Sequence, residues 1–438
     1  MFVMVFGSIA FSLIVMGVAG YAISENRASN YKHNREMAFQ IAEAGINYYR
    51  WHLAHNKTDY KDGTTGSGPY VHVYEDKDGN AIGHYSLTIT PPANGSTVVT
   101  IQSTGWLDSQ PNSTRTLKAR LGFPALTDYA LLTNGDVWIG STESVSGKFH
   151  ANGGIRFDGT GNAPITSAVL TYTCKPYHGC NNATKPGVWG AGGPSNYWSF
   201  PMPAQDFSAV TANLASIKTG SQLTGGVYLS SSGKQGWRLQ FLSNGTFNAY
   251  KVNTTNCYSA QDTSGNNITP CIDIATLGTA INYNMPTNGY IYVEDNVWVD
   301  GTVNGLATVG TAAGKSIMIN GNILYNVKDG TNVLGLIASQ NILIPKNSPD
   351  VLEVDAALLA QNGAALRYYY SNNVKSNLII YGSVISNGIW TWNWSSGSSI
   401  ISGYTNTNSA YDANLTYGPP PGFPVGSQYN LISWEEVQ

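Results

Sequence analysis

Four cysteines are the side chains in this sequence with the clearest capacity for covalent or metal chemistry. They fall into two local pairs, Cys174 with Cys180 and Cys257 with Cys271. In an oxidising compartment each pair is predicted to close a short loop as a disulfide. The alternative is a metal site, because His178 lies between Cys174 and Cys180 and adds a third soft ligand. No fourth ligand stands at a recognisable spacing, so the pattern favours disulfides.

Three tryptophans alternate along a short segment near the C-terminus. Trp390, Trp392 and Trp394 would share one face of a strand, because side chains at alternate positions point the same way. Such a stripe packs against a core, or else it forms an exposed aromatic platform for sugars or another surface. The second interpretation makes these residues candidate adhesive aromatics.

Carboxylates come closest together at Asp350, Glu353 and Asp355. Parallel β-helices host polysaccharide lyases and hydrolases that use acidic residues clustered on one sheet face, so an enzyme has to be considered. An exposed or edge acidic group is the simpler interpretation, and the sequence contains no nucleophile elbow, zinc-protease motif or phosphate-binding glycine loop. We therefore predict no catalytic residues and no enzymatic activity.

Asp76-Lys77-Asp78-Gly79-Asn80 has the opening of a calcium-binding loop. The twelfth position, which would carry a bidentate glutamate, is Leu87. An Asp-Gly hairpin turn explains the segment more simply. We predict neither a metal nor a cofactor.

Composition limits the function further. Only 11% of the 438 residues are charged, against about a quarter in ordinary soluble domains, and the chain contains 48 glycines, 27 tyrosines and 11 tryptophans. This composition is typical of an all-β extracellular protein. The net charge of −3 provides no basic field to attract phosphate backbones, so nucleic acid is not expected as a partner.

The N-terminal segment has the composition of a membrane helix. No charged residue occurs from Met1 to Ser24, and the segment is long enough to cross a bilayer. Arg27, Lys32 and Arg35 follow it, which by the positive-inside rule would leave the rest of the chain in the cytoplasm. That topology conflicts with paired cysteines. We expect that a short basic leader once preceded Met1 and was removed.

The helix is predicted to continue well beyond this segment. No proline occurs before Pro69, and one side of the following segment is apolar or small. The residues on that side are Ala38, Ile41, Ala42, Gly45, Tyr49 and Leu53. A single helix of about fifty residues, roughly 75 Å long, is implied.

Here the sequence resembles a known family. An apolar helix that runs into Ala38–Ile46, with its Ala42-Glu43-Ala44-Gly45 element, is similar to the N-terminal region of PilX-like type IV pilins. The resemblance covers about the first 55 residues. It implies leader cleavage by a prepilin peptidase, methylation of Met1 and residence in the inner membrane before assembly. A pilus machine would then assemble copies of the chain into an extracellular filament.

The resemblance also assigns roles to individual positions. It places the filament core on the apolar residues Phe2, Val5, Phe6, Ile9, Leu13 and Met16. Gly17 and Gly20 suit either tight helix packing in lipid or local unwinding of the helix when the subunit leaves the membrane, and we favour unwinding. Val5 stands where type IV pilins usually carry a glutamate that pairs with a neighbour's N-terminal ammonium, so this ammonium must be satisfied by backbone carbonyls, Ser8 or Ser12.

The remainder of the chain is predicted to be rich in β-strands. Alternating runs between residues 84 and 121 indicate antiparallel strands that pack on the long helix. After residue 125, Asp136–Thr142 resembles Asn296–Thr302, and such repeats favour a β-solenoid. We predict an α+β protein with an N-terminal helix at 1–55 (apolar at 1–24, amphipathic at 25–55), a pilin-like sheet at 56–124 and a β-rich surface domain at 125–438.

Taken together, these features predict a structural subunit of a type IV pilus-like filament. Whether it is a major or a minor subunit stays open. Two alternatives are a minor, tip-located pilin that acts as an adhesin, and a membrane-anchored β-helix enzyme that acts on glycans.

Overall fold

The computed structural model describes residues 2–93, 95–208, 210–397, 399–426 and 428–437. It divides into two compact units. The first comprises residues 1–93, 98–123 and 427–438, and the second comprises residues 94–97 and 124–426. A long helix and a large β-rich part confirm the predicted α+β class.

The first unit combines one long helix with an antiparallel sheet. Helix α1 runs unbroken from Phe2 to His55. The first four strands are β1 (Tyr70–Glu75), β2 (Ala81–Thr90), β3 (Val98–Leu107) and β4 (Gln110–Gly122). They pair in chain order, and a fifth strand formed by Asn430–Val437 completes the sheet beside β4.

The C-terminal strand corrects the predicted domain boundaries. Asn430 pairs with Gly122 and Val437 with Thr116, so the last strand belongs to the first unit and not to a surface domain that extends to residue 438. Trp434 packs edge-on against Phe39 of α1, with ring centroids 5.6 Å apart. The strand adds both sheet pairing and an aromatic contact to the helix, which explains why the chain returns here.

Only the second half of α1 packs on this sheet. The predicted apolar face, Ala38 to Leu53, is buried against side chains that point to one side of β2, β3 and β4. The sheet residues in this core are Tyr85, Leu87, Val99, Ile101, Leu117, Ala119 and Leu121. The predicted helix face is therefore confirmed.

Two glycines let the helix and the sheet approach closely. A Cβ on Gly45 would overlap Ser103 Oγ and lie 2.8 Å from Tyr85 Cδ2, while a Cβ on Gly105 would overlap the backbone of Ala38 and Ala42. The small residues of the Ala42–Gly45 element thus place helix backbone against strand backbone. Larger side chains would push the two elements apart.

We predict that Gly45→Ala destabilises the first unit, although glycine-to-alanine changes within helices usually add about 0.5–1 kcal/mol of stability. Overpacking against Ser103 and Tyr85 should cost about 1–3 kcal/mol and outweigh that gain. Gly17→Ala is the matched control, because nothing lies within 4 Å of its added Cβ. Thermal unfolding of both variants in detergent tests this. Equal stability of the two variants would contradict the close approach.

The second unit contains many short strands. β5 to β15 are Leu131–Thr133, Val137–Ile139, Glu143–Ser146, Phe149–Ala151, Ile155–Phe157, Thr160–Gly161, Ile165–Ser167, Thr171–Cys174, Ala183–Pro186, Val188–Trp189 and Trp198–Ser199. β16 to β25 are Val227–Leu229, Gly236–Leu242, Thr246–Asn256, Ala260–Gln261, Asn267–Ile268, Asp273–Leu277, Ile281–Asn284, Tyr290–Val293, Asn296–Val303 and Leu306–Thr311. β26 to β34 are Ile317–Tyr325, Val333–Ala338, Ile342–Leu343, Val351–Ala360, Ala365–Leu366, Val374–Ser386, Trp390–Thr391, Asn393–Ser396 and Ser399–Tyr411.

Helical turns interrupt these strands. Helix α2 spans Val210–Ser221. Short 3-10 helices span Leu126–Asp128, Pro176–His178, Ser195–Tyr197 and Ala413–Thr416.

Parallel pairing lines up one apolar column through the second unit. Successive partners in the ladder β16-β23-β25-β27-β29-β31-β5-β8-β11-β15 occupy equivalent positions. The column consists of Val227, Ile291, Val309, Leu336, Leu358, Val384, Leu131, Phe149, Ile165 and Trp198. Its members belong to, or pack against, a single hydrophobic core. Apolar residues stacked in this way hold the ladder together.

The ladder does not follow chain order. Val384–Ser386 of β31 pair with Leu131–Thr133 of β5, and Thr407–Ala410 of β34 pair with Glu143–Ser146 of β7. The segment from β5 to β15 therefore extends the stack from one side of this join, and the segment from β16 to β34 extends it from the other. The second unit begins shortly before β5 and ends shortly after β34, and both of these strands lie at the join in the middle of the stack.

A buried carboxyl group lies at the join. Glu143 is 5% exposed, and its oxygens accept hydrogen bonds from the Gly140 amide (3.0 Å) and from Asn393 Nδ2 (2.8 Å). Burial raises the pKa of Glu143 to about 7, and these two hydrogen bonds only partly oppose the shift. The carboxyl group thus binds its proton more tightly in the folded chain than in the unfolded one.

We predict that the contribution of Glu143 to the free energy of unfolding falls as pH rises from about 4.5 to 7. In this window the folded state holds a proton on Glu143 that the unfolded state has lost, so this group favours unfolding by roughly 1–3 kcal/mol as the pH rises. Because the lowered pKa of buried His178 acts in the opposite direction, the test compares variants. Glu143→Gln should make the slope of stability against pH more positive, whereas Glu75→Gln, at an exposed site, should leave it unchanged. Denaturant titrations across the window provide the measurement. An unchanged slope in Glu143→Gln would show that another group is responsible.

Candidate functional site

The first half of α1 is the most unusual surface of the first unit. Residues 2–33 are all exposed, and residues 2–24 carry no charge. Phe2 is 88% exposed, Phe6 76% and Leu13 66%. Within the described residues, α1 is the one helix long and apolar enough to cross a membrane, judged by length and composition. Such a surface requires a lipid or protein partner.

The residues predicted to form the filament core all lie on this exposed segment. They are Phe2, Val5, Phe6, Ile9, Leu13 and Met16, and each is exposed. These positions share one face of the helix, and exposed apolar residues such as Met4, Phe11 and Val18 occupy the opposite side, so the segment is apolar on every side. Met1, the predicted site of processing and methylation, lies outside the described residues.

In the described part of α1, no carboxylate lies near Val5. The first acidic residue is Glu25, five turns or more along α1, at about 3.6 residues per turn. Ser8 Oγ donates a hydrogen bond to the Val5 carbonyl oxygen (2.9 Å), so this hydroxyl is already engaged within its own helix.

Gly17 and Gly20 lie in unbroken helix, and nothing is packed within 4 Å of either. Unwinding at these glycines stays a prediction about the assembled state.

Both predicted disulfides are present. Cys174 is bonded to Cys180 and Cys257 to Cys271. The first pair removes the thiolates that a metal site would need, and the described residues contain no cluster of three or more potential metal ligands. His178 lies buried beside this disulfide, where burial lowers its pKa to about 4 and keeps the imidazole neutral.

The interpretation of the three tryptophans as an exposed platform is wrong for two of them. Trp390 and Trp392 are 6% and 1% exposed and pack edge-on in the core, with ring centroids 5.9 Å apart. Trp394 is half-buried, and its Nε1 donates a hydrogen bond to the Arg367 carbonyl (2.9 Å). Because a bend at position 392 separates β32 from β33, the three indoles do not form one strand face.

The acidic residues near position 350 have partners within the chain. Asp350 Oδ1 accepts a hydrogen bond from the Ser376 amide (3.1 Å). Glu353 and Asp355 both bind the ammonium of Lys328. This lysine could not be predicted as a partner, because it comes from the loop between β26 and β27. The Asp76 segment is a hairpin turn in which Asp76 Oδ1 accepts hydrogen bonds from the amides of Asp78 and Asn80, both 2.9 Å.

A half-buried ladder of aromatic and basic side chains was not predicted. Trp138, Arg156 and Trp189 are directly paired on adjacent strands β6, β9 and β14. The guanidinium carbon of Arg156 lies 4.3 Å from the Trp138 ring centroid and 5.3 Å from that of Trp189. Asp158 Oδ2 accepts hydrogen bonds from Trp138 Nε1 and Arg156 Nε. Since its charges are paired, we interpret this ladder as structural.

Comparisons with known proteins leave the family open. No family model matches the chain, and no curated protein matches it. Among solved structures, the crystal structure of the competence-associated pilin ComZ from Thermus thermophilus aligns over 92% of this chain and 97% of its own, at 16% identity and a TM-score of 0.30. A TM-score of this size does not establish a shared fold.

Proposed function

We propose that this chain is a structural subunit of an extracellular type IV pilus-like filament, and not an enzyme. The observation that carries the proposal is the division of α1 into two halves. Residues 2–24 are uncharged and exposed on all sides, while residues 38–53 are packed on an antiparallel sheet. A helix that is packed on a sheet at one end and exposed at the other is suited to polymerisation.

The uncovered half has the dimensions of a bilayer-spanning helix. Residues 2–24 extend about 35 Å at 1.5 Å per residue, slightly more than the roughly 30 Å hydrocarbon core. The segment rests in the inner membrane before assembly and exchanges lipid for the helices of neighbouring copies afterwards. Because both environments are apolar, the transfer desolvates no charged side chain of residues 2–24, and the N-terminal ammonium is the one charge that has to be satisfied.

Residues in the uncovered half have distinct roles in this proposal. Phe2, Val5, Phe6, Ile9, Leu13 and Met16 fill the filament core. Gly17 and Gly20 allow local unwinding, since glycine weakens a helix by about 1 kcal/mol per residue relative to alanine. A prepilin peptidase exposes Met1, which is then methylated, and the pilus machinery adds the subunit to the growing filament.

The second unit is displayed on the filament surface as a β-solenoid. The parallel ladders and the single apolar column through them support this interpretation. The two disulfides close loops of this unit and suit an oxidising exterior. Because Trp390 and Trp392 are buried, they do not form the exposed aromatic platform on which the adhesin alternative depends.

We predict that deletion of residues 2–24 produces a soluble monomer that keeps its β-structure and both disulfides. The deleted segment is the apolar surface that would be buried between copies, while the helix face packed on the sheet remains. Filament yield by electron microscopy and sedimentation of the purified truncated chain provide the readouts. The full-length chain, expressed with a pilus machine, is the control and should enter filaments. Filaments made from the truncated chain would contradict the proposal.

Position 5 provides a second test. We expect Val5→Glu to be tolerated or to increase filament yield, because a carboxylate there could pair with a neighbour's N-terminal ammonium. Val5→Leu controls for side-chain size. If only the glutamate variant loses filaments, the core is built around apolar contacts, and the buried carboxylate lacks a partner, at a cost of several kcal/mol.

A further inference from the structure

Lys328 lies in the loop between β26 and β27 and reaches two carboxylates at once. Its Nζ is 2.8 Å from Asp355 Oδ1 and 2.9 Å from Glu353 Oε1. Glu353 and Asp355 alternate on β29, so their side chains project from the same face of this strand. The Lys328 amine therefore lies between Asp355, whose carboxyl group it could join in an amide bond, and Glu353, which could accept or donate a proton.

The surroundings of Asp355 differ from those of an ordinary surface ion pair. Asp355 is 0% exposed, and its second oxygen, Oδ2, accepts a hydrogen bond from the Tyr325 amide (2.9 Å). The ring of Tyr381, on the adjacent strand β31, lies 4.6 Å from Lys328 Nζ. Lys328 itself is 39% exposed and covers the carboxyl group from the solvent side. One carboxyl oxygen is thus held by backbone and the other faces the amine.

The loop that carries Lys328 is held in place by its own hydrogen bonds. Asn332 Nδ2 donates to the Val327 carbonyl (3.0 Å), and Asp329 Oδ1 accepts from the Thr331 amide (2.9 Å). These contacts flank Lys328 on both sides in the sequence. Because the loop is preorganised, the amine is positioned without the full loss of entropy that a free lysine would suffer.

Other lysine–carboxylate pairs in the described residues lack this combination. Lys77, Lys118, Lys148 and Lys218 each have a single carboxylate within ion-pair distance, and those carboxylates are 18% to 63% exposed. Lys328 alone among the described lysines has two, one of them fully buried.

We propose that Lys328 and Asp355 form an intrachain amide bond, with Glu353 as the catalytic proton-transfer residue. Such a cross-link ties the loop between β26 and β27 to strand β29. It is a covalent modification made by the folded chain itself, without another enzyme or cofactor.

The reaction is a condensation that balances without an oxidant or reductant. Glu353 accepts a proton from the Lys328 ammonium, and the freed Nζ lone pair attacks Cγ of protonated Asp355. Glu353 then returns a proton to the departing hydroxyl group, and the nitrogen passes its remaining extra proton to the regenerated Glu353 carboxylate. One C–N bond forms, one C–O bond breaks, and one water leaves.

Geometry and environment together favour this step. Burial raises the pKa of Asp355, which favours the protonated acid, although the hydrogen bond from Lys328 opposes the shift. Partial burial lowers the pKa of Lys328, but hydrogen bonds and charge attraction from Asp355 and Glu353 together raise it by more, so the amine needs the adjacent base. Well-oriented groups reach effective molarities of about 10⁵ M or more, which accelerates the attack of Nζ on Cγ.

The decisive experiment is the intact mass of the full chain, purified from folded protein, then reduced and denatured. We expect a mass about 18 Da below the value calculated for the mature chain with its N-terminal methyl group, which corresponds to the loss of one water on condensation. Tryptic digestion should produce a branched peptide that joins the segments around Lys328 and Asp355. The segments around Lys218 and Glu294, an ordinary ion pair on two different tryptic peptides, should remain separate and act as an internal control.

Two variants separate the cross-link from a simple ion pair. Lys328→Arg keeps the positive charge but removes the nucleophilic amine, so it should show the full calculated mass. Glu353→Gln keeps the shape but removes the base, so most of the chain should remain unlinked at times when the wild type has reacted completely. A full calculated mass for the wild type would overturn the proposal and leave an ion pair only. Equal cross-linking in Glu353→Gln would overturn the role of Glu353.

Discussion

The uncharged surface of residues 2–24 is the constraint on which the behaviour of this protein depends. Exposed apolar surface contributes unfavourably in water at about 25 cal/mol per Å², so a helix of this kind must be covered at every stage. The described residues do not cover it, because the sheet of the first unit contacts only the second half of α1. Lipid and other copies of the same helix are two apolar environments of similar chemistry, and the proposed function, a subunit first membrane-bound and then polymerised, requires exchange between them.

The two parts of the chain use different means to stay folded. The first unit depends on a close approach between α1 and β3, which small residues at 42, 45 and 105 permit. The second unit depends on repetition, since each parallel strand buries its apolar residues against equivalent residues of the next. This repetition tolerates irregular loops, which explains why a disulfide hairpin or a charged loop with Lys328 can project from the stack without disturbing it.

The sequence predicted what depends on local pattern and failed where distant segments meet. The apolar segment, the helix face from Ala38 to Leu53 and the two cysteine pairs each come from residues close together in the chain, and all could be predicted. The join of β31 with β5 brings together residues about 250 positions apart, and no periodicity announces such a pairing. The tryptophans at 390 and 392 illustrate a related limit, because alternation shows that side chains share a face but not what covers that face.

The return of the last strand to the first sheet has a consequence for how such proteins diversify. Gly122 and Asn430 are direct partners, so the chain leaves and re-enters the first unit at adjacent points. Everything between them is an insertion whose two ends are held side by side. A different domain with closely spaced termini could occupy the same place without altering the helix or the strands that pack on it. The helix proposed to assemble is thus structurally separate from the inserted domain, and this domain could be exchanged without changing the helix.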